Sequence, residues 1–401
     1  MRRWLWVAVA SASSLASSLA ACSDDPAAPE ADSGAVEAGP GDASITSDAS
    51  DASPSDADAE AGPRLCSDDG FCHLSLPEPE TLRGVWGESA KSVWAVSEEG
   101  HVLRWDGGAW KVVARDLGKL YAIWGSGGGS APGGAPPALW LGGERGLFES
   151  TGASSAALTF RSVATPGGVG IPILSIWGQS KSDVWAVGST LDEAGAPRSK
   201  VLRYRSPTPD AGASWAVDPV SSQPWAFTKV WGTPAAGVWI GGDEGGDFPF
   251  AGAVYRRGPS SASFVRAPLP YDPLARDAGD IQRFTAGGVA GDRDLYVFGT
   301  SPASGALWRG VSSDGGVVAW TFEERDLNDL SIRAVSGLSP SAVWAVGDYG
   351  RLRRSDGGPF EQAAIKTGTF PVTAPLYALW TAPGAGLWVV GKQVALYKEN
   401  P

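Results

Sequence analysis

An all-β chain built from one repeated unit is what the sequence predicts, and three observations carry that prediction. The composition favours strands and tight turns over helices, with 54 Gly, 30 Pro and 19 Trp and only 19% charged residues in 401. A unit recurs from residue 82 onward, its second aromatic falling at Trp94, Trp140, Trp185, Trp239, Tyr296, Trp344 and Trp388, a mean spacing of about 49 residues. Each copy reads as four short alternating runs separated by Gly, Asp and Ser turns. Seven four-stranded copies of blade length predict a seven-bladed β-propeller.

The first 63 residues stand apart from the repeats. Residues 1–21 combine Arg2 and Arg3 with an apolar run from Trp4 to Ala10, too short to span a bilayer, and end in small residues. That is the pattern of a secretory signal. Residues 23–63 carry eleven acids, no base and no aromatic residue. They bury too little apolar surface to offset ordering entropy, so a disordered linker is expected up to residue 63 and the propeller over 64–401. The net charge of -12 sits in this linker, because residues 64–401 carry only -3. A nearly neutral folded part argues against nucleic acid as a partner.

In the first copy, strand one is Leu82-Arg-Gly-Val-Trp-Gly87, strand two Ser92-Val-Trp-Ala-Val-Ser97, strand three Val102-Leu-Arg-Trp105, and Trp110 marks strand four. Later copies begin at Trp124-Gly125, Trp177-Gly178, Trp231-Gly232, Ala290-Gly291, Ser336-Gly337 and Trp380-Thr381. The seventh copy stops at Tyr397, one strand short. Residues 70–76 precede Trp86 as Trp110 precedes Trp124, so they are expected to supply that strand and clasp the ring, removing free edges. Three residues after the second-strand aromatic come Gly143, Gly188, Gly242, Gly299, Gly347 and Gly391, read here as turns of positive φ. The Trp columns are expected to fill the space between blades.

Cys66 and Cys72 flank a turn through Asp69-Gly70. In an exported compartment this spacing favours a disulfide. The alternative is a metal pair, for which only His73 is near.

Leu19-Ala-Ala-Cys22 resembles the bacterial lipobox. The resemblance implies cleavage before Cys22, a diacylglyceryl group on its thiol and acylation of its amino group, which anchors stably. Ser23, rather than Asp, follows the lipidated Cys, which implies the outer membrane. The repeats, of the form Asp183-Val-Trp-Ala-Val-Gly188, resemble those of secreted bacterial lipoproteins, a group similar to Asp-box and photosystem II assembly-factor-like propellers. The Asp-box is partly kept at Asp106-Gly-Gly-Ala-Trp110, at Asp314-Gly-Gly and at Ser355-Asp356-Gly-Gly-Pro-Phe360. What the resemblance implies is a non-catalytic propeller.

No cofactor or metal motif is found. With only His73 and His101 present, no Ser/His/Asp or Cys/His arrangement is supported by spacing. Two candidate sites remain. Three residues before the first-strand Trp, the seven copies carry Arg83, Tyr121, Leu174, Thr228, Gly287, Arg333 and Tyr377. Arg333, Tyr377, Arg83 and Tyr121 are therefore neighbours round the ring, placed to hold an anionic or sugar ligand at the channel mouth. The second candidate is a loop face from insertions in copies three to five, offering Asp192, Arg198, Phe248, Phe250, Tyr271 and Arg276.

The expected function is a monomeric, membrane-anchored binding module for a protein or cell-surface polymer. One rival is an Asp-box glycosidase of the sialidase kind, using carboxylates from Glu78, Glu80, Asp326 or Asp329 in loops ahead of the arc. A purely structural envelope protein is the other.

Overall fold

The computed structural model describes residues 65–127, 136–168, 170–205, 212–245, 251–270, 281–301, 304–313, 316–325, 331–363, 365–367, 370–399 and 401. Cys22, the expected signal and linker, and Phe248, Phe250, Tyr271 and Arg276 lie outside these residues. Among the described residues no helix is long and apolar enough to cross a membrane.

The repeats fold as antiparallel meanders, each led by one inner strand. These inner strands are Leu82–Ser89, Leu120–Ser126, Ser175–Ser180, Ala226–Thr233, Arg283–Ala290, Ile332–Ser339 and Leu376–Ala382. Each touches the next, and the last touches the first, so the sheets stand round a common axis as a β-propeller.

Hydrogen bonding gives five free-standing blades rather than the expected seven. Copies one to four form separate four-stranded sheets and the last copy a five-stranded one, whereas copies five and six share an eight-stranded sheet. A parallel bridge from Ala290 to Gly337 makes the junction. Its cause lies in the first-strand Trp column. Trp231 and Trp380 stand opposite the second-strand aromatic in their blades, but Gly288 faces Tyr296 and Ser336 faces Trp344. Without an indole between them the backbones close in, and a Cβ on Gly288 would lie 2.0 Å from the Val335 carbonyl oxygen.

This pairing also corrects the alignment of copy five. Gly288, not Ala290, occupies the Trp position, so the residue three before it is Thr285 rather than Gly287.

The Trp-Gly dipeptides explain how the other inner strands pack. A Cβ on Gly87 would meet the Trp380 ring at 2.6 Å, one on Gly125 the Trp86 ring at 2.8 Å, and one on Gly178 the Trp124 ring at 2.6 Å. Each indole thus covers the glycine of the following blade. The second-strand aromatics are buried behind them, Trp94 and Trp185 completely. Third-strand arginines cap several of these across the strand pair, with Arg104 over Trp94 and Arg203 over Trp185 at 5.5 and 4.9 Å.

The glycines three residues beyond the second-strand aromatic are not positive-φ turns; none has φ in the left-handed region. They are required by close backbone approach. A Cβ on Gly143, Gly188, Gly242 or Gly347 would lie 2.2, 1.7, 2.2 or 2.1 Å from the carbonyl oxygen at the entry to that blade's own inner strand.

At the seam, Cys72–His73 pairs with the C-terminal strand Val394–Lys398, matching Cys72 to Tyr397 and His73 to Leu396. Cys66 and Cys72 form a disulfide. Phe71, 1% exposed, packs edge-on against Trp344 at 5.5 Å. In the turn of the first blade, Asp106 Oδ1 accepts hydrogen bonds from the Gly108 and Ala109 amides, a structural use of that carboxylate. Asp314 lies outside the described residues.

Candidate functional site

The arc expected from sequence is assembled by a bulge. In six inner strands the register skips one residue, and the skipped residues are Arg83, Tyr121, Thr228, Thr285, Arg333 and Tyr377. A bulge leaves its extra residue unpaired and re-aims its side chain. At five of the six bulges a close-approach glycine sits opposite the residue just before the bulge, for example Leu120 with Gly143 and Ile332 with Gly347, while Leu82 has Ser97 there. Bulge and glycine are two halves of one device.

All six bulged residues, with Leu174 of the third blade, line one cavity of about 750 Å³. Six inner strands and Leu174, just ahead of the remaining one, contribute to it, which places it on the propeller axis. The four arc residues therefore line one cavity. Arg83 sits over the Tyr377 ring at 4.1 Å, with its Nε 3.5 Å from Glu98. Arg333 Nη2 lies 2.7 Å from Asp348 Oδ2, so this guanidinium is already ion-paired. The Tyr121 phenol is pushed up by burial, with help from the Glu144 and Glu98 carboxylates, so it stays a neutral donor.

Other lining residues escaped the sequence reading. Lys229, Arg283 and Arg351 join Arg83 and Arg333, against the carboxylates of Asp243 and Asp348. The cationic side dominates by five groups to two. Burial pushes the Asp243 carboxyl up, while its Oδ1 accepts the Gly245 amide at 2.9 Å. Lys229 is lowered to about 8 by burial and by the positive charge of Arg83. Tyr349 stands at the rim, 76% exposed, with φ 58. An aromatic held in the left-handed region is strained, and such strain gathers at functional sites. Arg351 backs it at 5.7 Å and hydrogen-bonds to Ser331.

The loop-face candidate divides. Between the second and third strands of blade three, the expected loop is a hairpin extended to Leu191 opposite Pro197. Asp192 spends its Oδ1 on the turn, accepting from the Ala194 and Ala196 amides at 2.9 Å. It lines a separate shallow depression with Arg198 and Glu193. That hairpin still reaches the axis, because Ser189, Thr190 and Leu191 line the central cavity.

Of the carboxylates expected for a glycosidase, Glu78 pairs with Arg115 at 2.5 Å, and Glu80 is fully buried with Oε1 2.7 Å from His101 Nδ1. Neither lines the cavity. Asp326 and Asp329 lie outside the described residues. Glu78, Glu80 and His101 have ligand-type atoms within 4.8 Å of one another. Arg115 supplies the cation among them, with Nη1 3.3 Å from His101 Nε2.

No protein-family model matches the chain, and no curated protein does. Its fold is shared with solved propellers. YCF48 bound to a D1 peptide superposes with a TM-score of 0.55 at 14% identity, over 84% of this chain and 100% of that one. YCF48 from Cyanidioschyzon merolae gives 0.55 at 15% identity, over 82% and 99%. The WD40 β-propeller domain of Doa1 gives 0.50 at 12% identity, over 82% and 98%.

Proposed function

We propose that the chain is a lipid-anchored, seven-bladed propeller that binds an acidic segment of a protein partner at the mouth of its central channel, without catalysis. The eight-stranded sheet is read as two blades, since each half keeps its own inner strand in the closed ring. Cys22 is the lipid anchor, and the outer membrane the address. The observation that carries the binding reading is the cavity itself, whose five cationic groups outnumber two carboxylates in a space suited to a small ligand or peptide segment. Tyrosines at the rim suit a protein partner, because Tyr and Arg dominate binding hot spots. That a scaffold of similar fold, YCF48, has been solved with a D1 peptide bound supports the choice.

The sialidase-like glycosidase reading needs a cationic clamp, a carboxylic acid and a nucleophile at the scissile bond. Among the described residues the cavity offers Asp243 and Asp348, and Arg333 already holds Asp348.

The test is binding of the purified protein to end-blocked hexaglutamate and, separately, to polygalacturonate. Peptide binding that falls about tenfold in the Arg83→Ala/Arg333→Ala variant supports the reading. Binding to the polysaccharide alone would replace the protein partner by a surface polymer, and peptide binding unchanged in the variant would move the site off the channel.

A further inference from the structure

Lys229 breaks a column. The residue two before the first-strand Trp position is Gly84, Ala122, Ser175, Ala286, Ala334 or Ala378 in the other copies. These residues are small because the next blade presses on them; a Cβ on Gly84 would lie 3.2 Å from the Ile123 side chain. Blade four alone puts a long cation there, directly after the bulged Thr228.

The lysine is half-buried and lines the central cavity. Among the described residues its Nζ makes no hydrogen bond or ion pair. The charge nearest in effect is that of Arg83, which repels it. A cation drawn into a cavity without a partner gives up part of its hydration, and an opposite charge offsets that cost. The rim arginine Arg333 has its counter-ion in Asp348, but Lys229 has none within the described chain.

We propose that Lys229 holds one carboxylate of the bound partner inside the channel and so selects an acidic side chain over an uncharged one. This rests on the reading that an acidic protein segment occupies the mouth. Its surroundings favour the same exchange: burial and Arg83 lower its pKa to about 8, and the negative charge of a docked carboxylate would act against that lowering. Lys229 then takes the anion, with the charge of Arg83 acting on the same space.

The experiment measures fluorescence anisotropy of labelled, end-blocked hexaglutamate and hexaglutamine against the full chain at pH 7. Wild type, Lys229→Met and Lys229→Arg are compared, with near-UV circular dichroism to confirm folding. The expected result is a loss of about tenfold or more in hexaglutamate affinity for Lys229→Met, since a buried partner is left unpaired. Hexaglutamine is unaffected, and Lys229→Arg stays within about threefold because the charge is kept. If Lys229→Met binds hexaglutamate as wild type does while Arg83→Ala/Arg333→Ala does not, the role of Lys229 is overturned and the mouth stands. If wild type itself ignores hexaglutamate, the acidic-segment reading fails and takes this proposal with it.

Discussion

Arg83 sits over the ring of Tyr377, its guanidinium carbon 4.1 Å from the centroid, and so joins the inner strand of the first blade to that of the last. The pair is half-buried, and Glu98 completes it on the other side. Tyr377→Leu is expected to cost about 0.5–1 kcal/mol in urea unfolding, the range of a partly exposed cation–π contact, while Tyr377→Phe keeps most of it. An equal loss in both variants would assign the effect to the hydroxyl instead.

Lys229 makes stability depend on pH in a direction opposite to that of a lysine held in an ion pair. Its pKa is about 8 in the folded chain, against 10.5 for a lysine in water. Between those values the unfolded chain binds more protons, so unfolding free energy rises with pH across that window. Below pH 8 the lysine is charged in both states and its full cost remains. Lys229→Met is therefore expected to raise stability at pH 7 by about 1–3 kcal/mol and to flatten the rise between pH 8 and 10.5. Carboxylate binding should run the other way, strongest below pH 8 and weakening above it. A wild-type curve falling through that window would show that Lys229 has a partner in solution.

Gly188 tests the account of the glycine column. Its Cβ would stand 1.7 Å from the Pro172 carbonyl oxygen, so Gly188→Ala must move backbone and is expected to cost about 3 kcal/mol or more. Gly384, with φ +72 and open space around it, is the control, where Gly384→Ala costs only about 1–2 kcal/mol of backbone strain. Thermal unfolding of the two variants separates the causes; equal losses would restore the positive-φ explanation.

Phe71 is the apolar anchor of the clasp. Buried against Trp344, it should cost about 3–5 kcal/mol when changed to Ala. Reduction of Cys66–Cys72, which closes a loop of sequence separation 6, should cost less, about 2 kcal/mol. Calorimetry with and without reductant ranks the two, and a larger loss on reduction would make the covalent link, not the packing, the main closure.

Much of this architecture was legible because each inner strand repeats one physical problem. Trp86 and Trp124 fall on glycines of the next blade, so the Trp-Gly spacing records the packing directly. The arc of Arg83, Tyr121, Arg333 and Tyr377 was readable from the same grid. What misled was the assumption that every copy keeps its Trp. Gly288 lies two residues from the place the motif suggested, and the register emerges only from its pairing with Tyr296. The glycine column was recognised but misread, because sequence cannot separate a glycine needed for φ from one needed for space. Lys229 was overlooked although it was visible as the one long side chain in a column of small ones. Tyr349 and Arg351 lie in a turn whose reach over the axis no periodicity reports.

The central claim is the position of the ligand, and a crystal structure of the protein with end-blocked hexaglutamate tests it most directly. The account predicts a peptide carboxylate in the axial cavity, within hydrogen-bond distance of Lys229 Nζ, with Tyr349 against the chain at the rim. Peptide bound at the Asp192 and Arg198 depression, with the axial cavity unoccupied, would contradict it.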